Sequence, residues 1–136
     1  MSIKLNSETF GYINIFEKVT KARVRDCISH NDKLIFVIEK GQLGIAIGKG
    51  GKNINKLREL LKKKIRVIEY SDKPEKFLKN IFHNYKLGEI TINNNVASIG
   101  VDLSEKGAII GKGGQNLKIA KELIKRHHKI DDVVIV

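Results

Sequence analysis

Hydrophobic positions along the chain alternate between helical and strand spacing, and the same series of elements is run through twice. Tyr12, Ile15, Phe16 and Val19 fall at i, i+3, i+4 and i+7, one face of a helix predicted over about 7–20. Leu78, Ile81, Phe82 and Tyr85 repeat that spacing and predict a second helix over about 74–85. Pro74 suits its first turn, where a missing N–H costs no helical hydrogen bond. β-branched and apolar runs predict strands at about 22–29, 33–39 and 65–70, and again at about 88–93, 96–101 and 132–136. His30-Asn31-Asp32 and Asn93-Asn94-Asn95 read as the intervening turns, because Asn and Asp tolerate turn conformations. Between the second and third strands of each set lie a short helix, a glycine cluster and a longer helix. Each half is therefore α-β-β-α-α-β, and the expected fold class is α+β: two tandem units, each with a small mixed three-stranded sheet covered by helices.

The repeat is explicit in the residues. Gly44-Ile45-Ala46-Ile47-Gly48-Lys49-Gly50-Gly51-Lys52-Asn53 returns 63 residues later as Gly107-Ala108-Ile109-Ile110-Gly111-Lys112-Gly113-Gly114-Gln115-Asn116. Between residues 44–63 and 107–126, 10 of 20 positions are identical, and the likeness reaches Glu59, Leu60 and Lys62, matched by Glu122, Leu123 and Lys125. At the opening helices the offset is 66, so the second copy has three fewer residues before its glycines, a change expected in a turn. The expected domains are 1–71 and 72–136. Units of this size are marginal alone, and only Ser71-Asp72-Lys73 separates them, so they are expected to pack against each other.

Gly48-Lys49-Gly50-Gly51 and Gly111-Lys112-Gly113-Gly114 sit between helical segments. Glycine permits the sharp turn and lets another backbone approach without a Cβ in the way. The following helices are expected to start at Lys52 and Gln115, presenting unpaired N–H groups and the positive dipole end to an anion. Lys49 and Lys112 add a charge at each tip. Read as structure alone, both loops are tight turns with a solvated lysine. Duplication in matching helical context favours a site for a phosphodiester backbone. A Walker A loop is excluded, because neither Lys49 nor Lys112 is followed by Ser or Thr, and a dinucleotide fingerprint is excluded, because Asn53 stands where the third glycine belongs. In the following helices Ile54, Leu57 and Leu61, and Leu117, Ala120 and Ile124, form apolar faces. Lys52, Lys56, Lys63, Lys118, Lys121 and Lys125 fall elsewhere, and Glu59–Lys63 and Glu122–Arg126 are i, i+4 pairs of favourable polarity.

Charge sharpens this picture. Lys and Arg outnumber Asp and Glu by 26 to 15, a net +11 that attracts polyanions. Residues 1–72 hold +7 of it (15 basic, 8 acidic), so the first unit is expected to make the stronger phosphate contribution. No apolar run approaches the ~18 residues of a spanning helix, and Met1-Ser2-Ile3-Lys4-Leu5-Asn6 has no signal-peptide core. No membrane partner is expected. The single Cys27 can form no internal disulfide, which fits a reducing, cytoplasmic setting.

A GxxG loop between two helices, in an α-β-β-α-α-β unit, resembles the type II KH domain, and two such units in tandem resemble the archaeal NusA-like transcription factors. The likeness covers essentially the whole chain, and the two Ile-Gly-Lys-Gly-Gly segments are its specific part. It implies that each unit clamps about four nucleotides of single-stranded nucleic acid. The implied RNA-binding residues are Ile47, Gly48, Lys49, Gly50, Gly51, Lys52 and Lys56 in the first unit. In the second they are Ile110, Gly111, Lys112, Gly113, Gly114, Gln115 and Lys118, with Ile47 and Ile110 as groove floor. It further implies a role in transcription elongation or termination through nascent RNA, with RNA polymerase as a candidate partner. Unlike bacterial NusA, 136 residues leave no room for an amino-terminal polymerase-binding domain or an OB-fold domain. The competing functions are RNA binding in ribosome assembly or decay, and a protein–protein adaptor docking an acidic partner.

No enzyme, cofactor or metal is expected, and a monomer is. His127-His128 are helical neighbours on different faces, and His30 and His83 are distant in sequence. Cys27 and Phe36 read as core residues, Tyr70 and Tyr85 as stacking candidates, and Asp131-Asp132 as a carboxylate pair beside basic residues. No Ser-His-Asp or Cys-His constellation is present.

Overall fold

The computed structural model describes residues 7–136; the reading of residues 1–6 as lacking a signal-peptide core lies outside them. Contacts divide the chain into two compact units between Ser71 and Asp72. The first unit runs α1 (Ser7–Thr20), β1 (Val24–His30), β2 (Lys33–Ile38), α2 (Leu43–Ile47), α3 (Lys52–Leu61) and β3 (Lys64–Glu69). The second repeats the order as α4 (Pro74–Ile81), β4 (Ile90–Asn93), β5 (Val96–Ile99), α5 (Leu103–Ile110), α6 (Gln115–His127) and β6 (Asp132–Ile135). In each sheet the second strand is central, antiparallel to the first and parallel to the third. This is the α+β architecture that the spacing of apolar residues calls for.

The central strand organises the first core. Leu34, Phe36 and Ile38 point to one side of β2 and meet Phe16 of α1 and Leu57 of α3, all fully buried. The Phe16 and Phe36 rings lie 4.3 Å apart, and Cys27 is buried beside them. In the second unit Ala97, Ile99 and Val133 of the sheet, Phe77, Leu78 and Ile81 of α4, and Leu123 and Ile124 of α6 are buried.

Three local readings need correction, and one is sharpened. The buried stripe of α1 is Thr9, Ile13, Phe16 and Thr20, whereas Ile15 is 38% exposed; Tyr12 and Val19 only flank the core. Thr20 fixes this end: its Oγ1 donates to the Phe16 carbonyl and accepts from the Ala22 N–H, and Lys21 takes φ 66. Helix α4 stops at Ile81, and Tyr85 lies in the turn beyond, where its N–H reaches the Phe82 carbonyl. His83 and Asn84, both weak helix formers, occupy that turn. The three-residue length change, expected in a turn, lies upstream of the hairpin turn, because Asn31 and Asn94 already stand at the offset of 63 with φ of 56 and 53. It falls between the opening helix and that turn. Lastly, α3 ends at Leu61 with Lys62 left-handed, so Lys63 is not at helical spacing from Glu59. Glu122 and Arg126 do meet, at 4.0 Å.

Candidate nucleic-acid interface

The two glycine loops have one geometry. Gly48, Gly50 and Gly51 take φ/ψ of 78/166, 63/21 and 76/16; Gly111, Gly113 and Gly114 take 83/168, 64/18 and 75/15. The first position lies in a region essentially closed to residues with a side chain. A Cβ on Gly48 would stand 2.8 Å from Asn53 Cγ, and one on Gly111 2.8 Å from Asn116 Cγ. A Cβ at Gly50 or Gly113 would meet nothing within 4 Å, so the loop tip is open to an approaching strand.

Helices α3 and α6 start at Lys52 and Gln115, as the sequence predicts, but part of their donor set is spent within the loop. The Gly51 N–H donates to the Gly48 carbonyl at 3.1 Å, and the Lys52 N–H to the Lys49 carbonyl. Gly114 and Gln115 close the second loop on Gly111 and Lys112 in the same way. Around these closed turns, Lys49 and Lys112 project exposed at the tips.

The surrounding residues differ between units. Helix α2 buries only Ala46 and leaves Leu43, Ile45 and Ile47 exposed, an aliphatic surface leading into the loop. In α5 the positions of Leu43, Ile45 and Ile47 hold Lys106, half-buried, Ala108, exposed, and Ile110, half-buried. Lys52 and Lys56 are exposed one turn apart on α3. Their counterparts in α6 are the half-buried Gln115 and the buried Ile119, so Lys118, exposed at the position of Asn55, supplies the cation there. The structure thus gathers Ile47–Lys52 with Lys56, and Ile110–Gln115 with Lys118, around two separate loops.

Asn53 and Asn116 hold the loops and were not among the expected site residues. Asn53 Nδ2 donates to the Ile45 carbonyl at 2.8 Å, tying α3 to the end of α2. Asn116 Nδ2 reaches the Ala108 carbonyl at 3.3 Å and the Tyr85 hydroxyl at 3.2 Å. Their signal is present: each stands two residues after the last glycine, at the repeat offset.

The remaining candidates have structural partners. Arg25 lies over the Tyr70 ring at 3.7 Å while holding Glu39 at 2.9 Å. Tyr85 is engaged with Asn116. His128 leaves the helix with an extended backbone, so both histidine rings reach Phe77, at 5.8 Å for His127 and 5.6 Å for His128. Asp132 pairs with Lys121 at 3.1 Å and accepts from the Val133 N–H, and the Lys121 bond above all holds its carboxyl below the usual aspartate value. Among the described residues no group of His, Cys, Asp or Glu is placed to hold a metal ion, and no helix is long and apolar enough to cross a membrane.

A three-stranded α-β-β-α-α-β unit with a GxxG turn between its last two helices, present twice, defines a tandem KH-domain protein. The KH domain family matches residues 12–72, and the NusA-like second KH domain matches residues 74–133. Relatives named "Probable transcription termination protein NusA" include those of Methanococcus vannielii, 37% identical over 100% of this chain and 81% of theirs, and Halobacterium salinarum, 34% identical over 98% of each. The crystal structure of APE1850 superposes with a TM-score of 0.81 at 38% identity, covering 97% of this chain and 100% of that one. The chain belongs to the family of archaeal NusA-like transcription termination proteins.

Proposed function

We propose that the chain binds single-stranded RNA at its two GxxG loops and acts on nascent transcripts as a transcription elongation and termination factor, without catalysing a reaction. The observation that carries this reading is the duplicated loop, whose backbone angles agree between copies to within about 5°. A turn held so closely, with open space over Gly50 and Gly113, suits a backbone partner that passes close to the glycines. Lys49 and Lys112 neutralise its phosphates, Lys52, Lys56 and Lys118 add charge along the helices, and Ile47 and Ile110 supply apolar surface to bases. Each phosphate so neutralised lowers the slope of log affinity against log salt by ~0.7. RNA polymerase is a partner this family role brings with it, and the working state is a cytoplasmic monomer.

In-cell crosslinking with the bound sequences read out tests the role. Enrichment of nascent transcripts, lost when Lys49-Gly50 and Lys112-Gly113 are both replaced by Asp-Asp, is the expected result. Crosslinks confined to ribosomal RNA, or a polymerase pull-down that survives nuclease in a chain with no RNA affinity, would contradict it.

A further inference from the structure

Each unit carries a second basic concavity, at the end of the post-loop helix remote from the glycines. In the first unit Arg58, Lys62, Lys63 and Lys64 line a cleft together with Asp32. In the second, Lys125, Arg126, Lys129 and the two histidines line a cleft with Asn95 and Asp131. The repeat offset of 63 carries Asp32 onto Asn95, Lys62 onto Lys125 and Lys63 onto Arg126, so both clefts occupy one place in the fold, between the hairpin turn and the start of the last strand.

A helix dipole attracts cations to its last turn, and that accounts for Arg58 in α3 and for Lys125 and Arg126 in α6. The effect fades within that turn, whereas Lys62, Lys63, Lys64 and Lys129 all lie past the helix ends. Like charges gathered there repel one another, and a bound anion relieves the repulsion.

The clefts are also connected to the loops. Asn55 and Arg58, three residues apart on α3, are exposed between the Gly51 turn and Lys62, which is exposed just past the end of the helix. On α6 Lys118 and Lys125 are exposed along the same course, with Lys121 between them half-buried and paired with Asp132. Helix α3, with 10 residues, is about 15 Å long. A stacked strand rising ~3.4 Å per nucleotide covers that length in about four nucleotides.

We propose that RNA leaving each GxxG loop follows this course and that its phosphates are bound in the basic cleft, extending the footprint of each unit by about four nucleotides. The inference rests on the RNA-binding reading of the loops. The course from loop to cleft favours a continuous polyanion over an acidic protein, which would need the cleft alone.

The test compares the full chain with a variant carrying Lys62→Gln, Lys64→Gln, Lys125→Gln and Lys129→Gln, all exposed positions, with folding checked by circular dichroism. Fluorescent oligouridylates of about four and about twelve nucleotides serve as probes. The expected result is unchanged affinity for the short probe and a loss of about tenfold for the long one, with a salt slope reduced by ~0.7 per contact removed. Equal loss on both probes, or no loss on either, overturns the cleft while leaving loop binding intact. Polyglutamate binding that the variant loses, with long-probe affinity unchanged, overturns it in favour of an acidic polypeptide. A wild-type chain that binds neither probe overturns the loop reading as well.

Discussion

Asn53 is clamped against Gly48: its side chain donates to the Ile45 carbonyl at 2.8 Å and fills the space where a Gly48 Cβ would stand. Asn116 repeats this against Gly111. The first glycine of each loop is therefore fixed by packing as well as by backbone angle, whereas Gly50 and Gly113 are fixed by angle alone.

Gly48→Ala is expected to destabilise the first unit by about 1–3 kcal/mol, and Gly50→Ala by less, since its left-handed angles cost a residue with a Cβ ~1–2 kcal/mol. Adding Asn53→Ala to Gly48→Ala should cost less than the sum of the two changes, because the clash partner is gone. Residue-resolved hydrogen exchange measures this unit by unit. Additive losses would show that Asn53 does not enforce the glycine.

Tyr85→Phe removes the hydroxyl that Asn116 Nδ2 meets at 3.2 Å, at an expected cost of about 0.5–1.5 kcal/mol to the second unit. Protection of the Gly111–Gly114 amides should fall while that of Gly48–Gly51 stays as it was. A uniform loss across both units would contradict a local role.

How much of this was legible in the sequence follows from what each signal encodes. The loops, the starts of α3 and α6 and the sequence of elements along the chain are readable because glycine and Asn positions constrain the backbone directly. The buried face of α1 is not legible because Ile13 and Ile15 are both apolar, and only packing against β2 decides which is buried. Tyr85 fitted the helical spacing of α4, yet the chain turns after Ile81 and brings it to Asn116 instead. The clamp asparagines repeat in the sequence, but their reach back across the loop appears only once two helices are placed.

Acid should act on the second unit through Asp132. Its folded carboxyl is held below the ordinary aspartate value of 3.8, chiefly by the Lys121 bond. The contribution is therefore present at pH above 3.8 and is lost as pH falls through the lower folded value. Asp132→Asn should melt below the wild-type chain at neutral pH, with the gap closing in acid and narrowing in high salt. A gap that is the same at every pH would exclude the ion pair as its cause.

The central claim, that the two loops hold RNA, is tested most directly by titrating labelled single-stranded RNA against the full chain and three variants. These carry Asp-Asp at Lys49-Gly50, at Lys112-Gly113, or at both. Aspartate tolerates left-handed angles better than most residues, so Gly50 and Gly113 can take it without unfolding. Each single variant should weaken binding, the first loop more than the second, and the double variant should bind no RNA. Folded double-variant protein that keeps wild-type affinity and salt dependence would contradict the account.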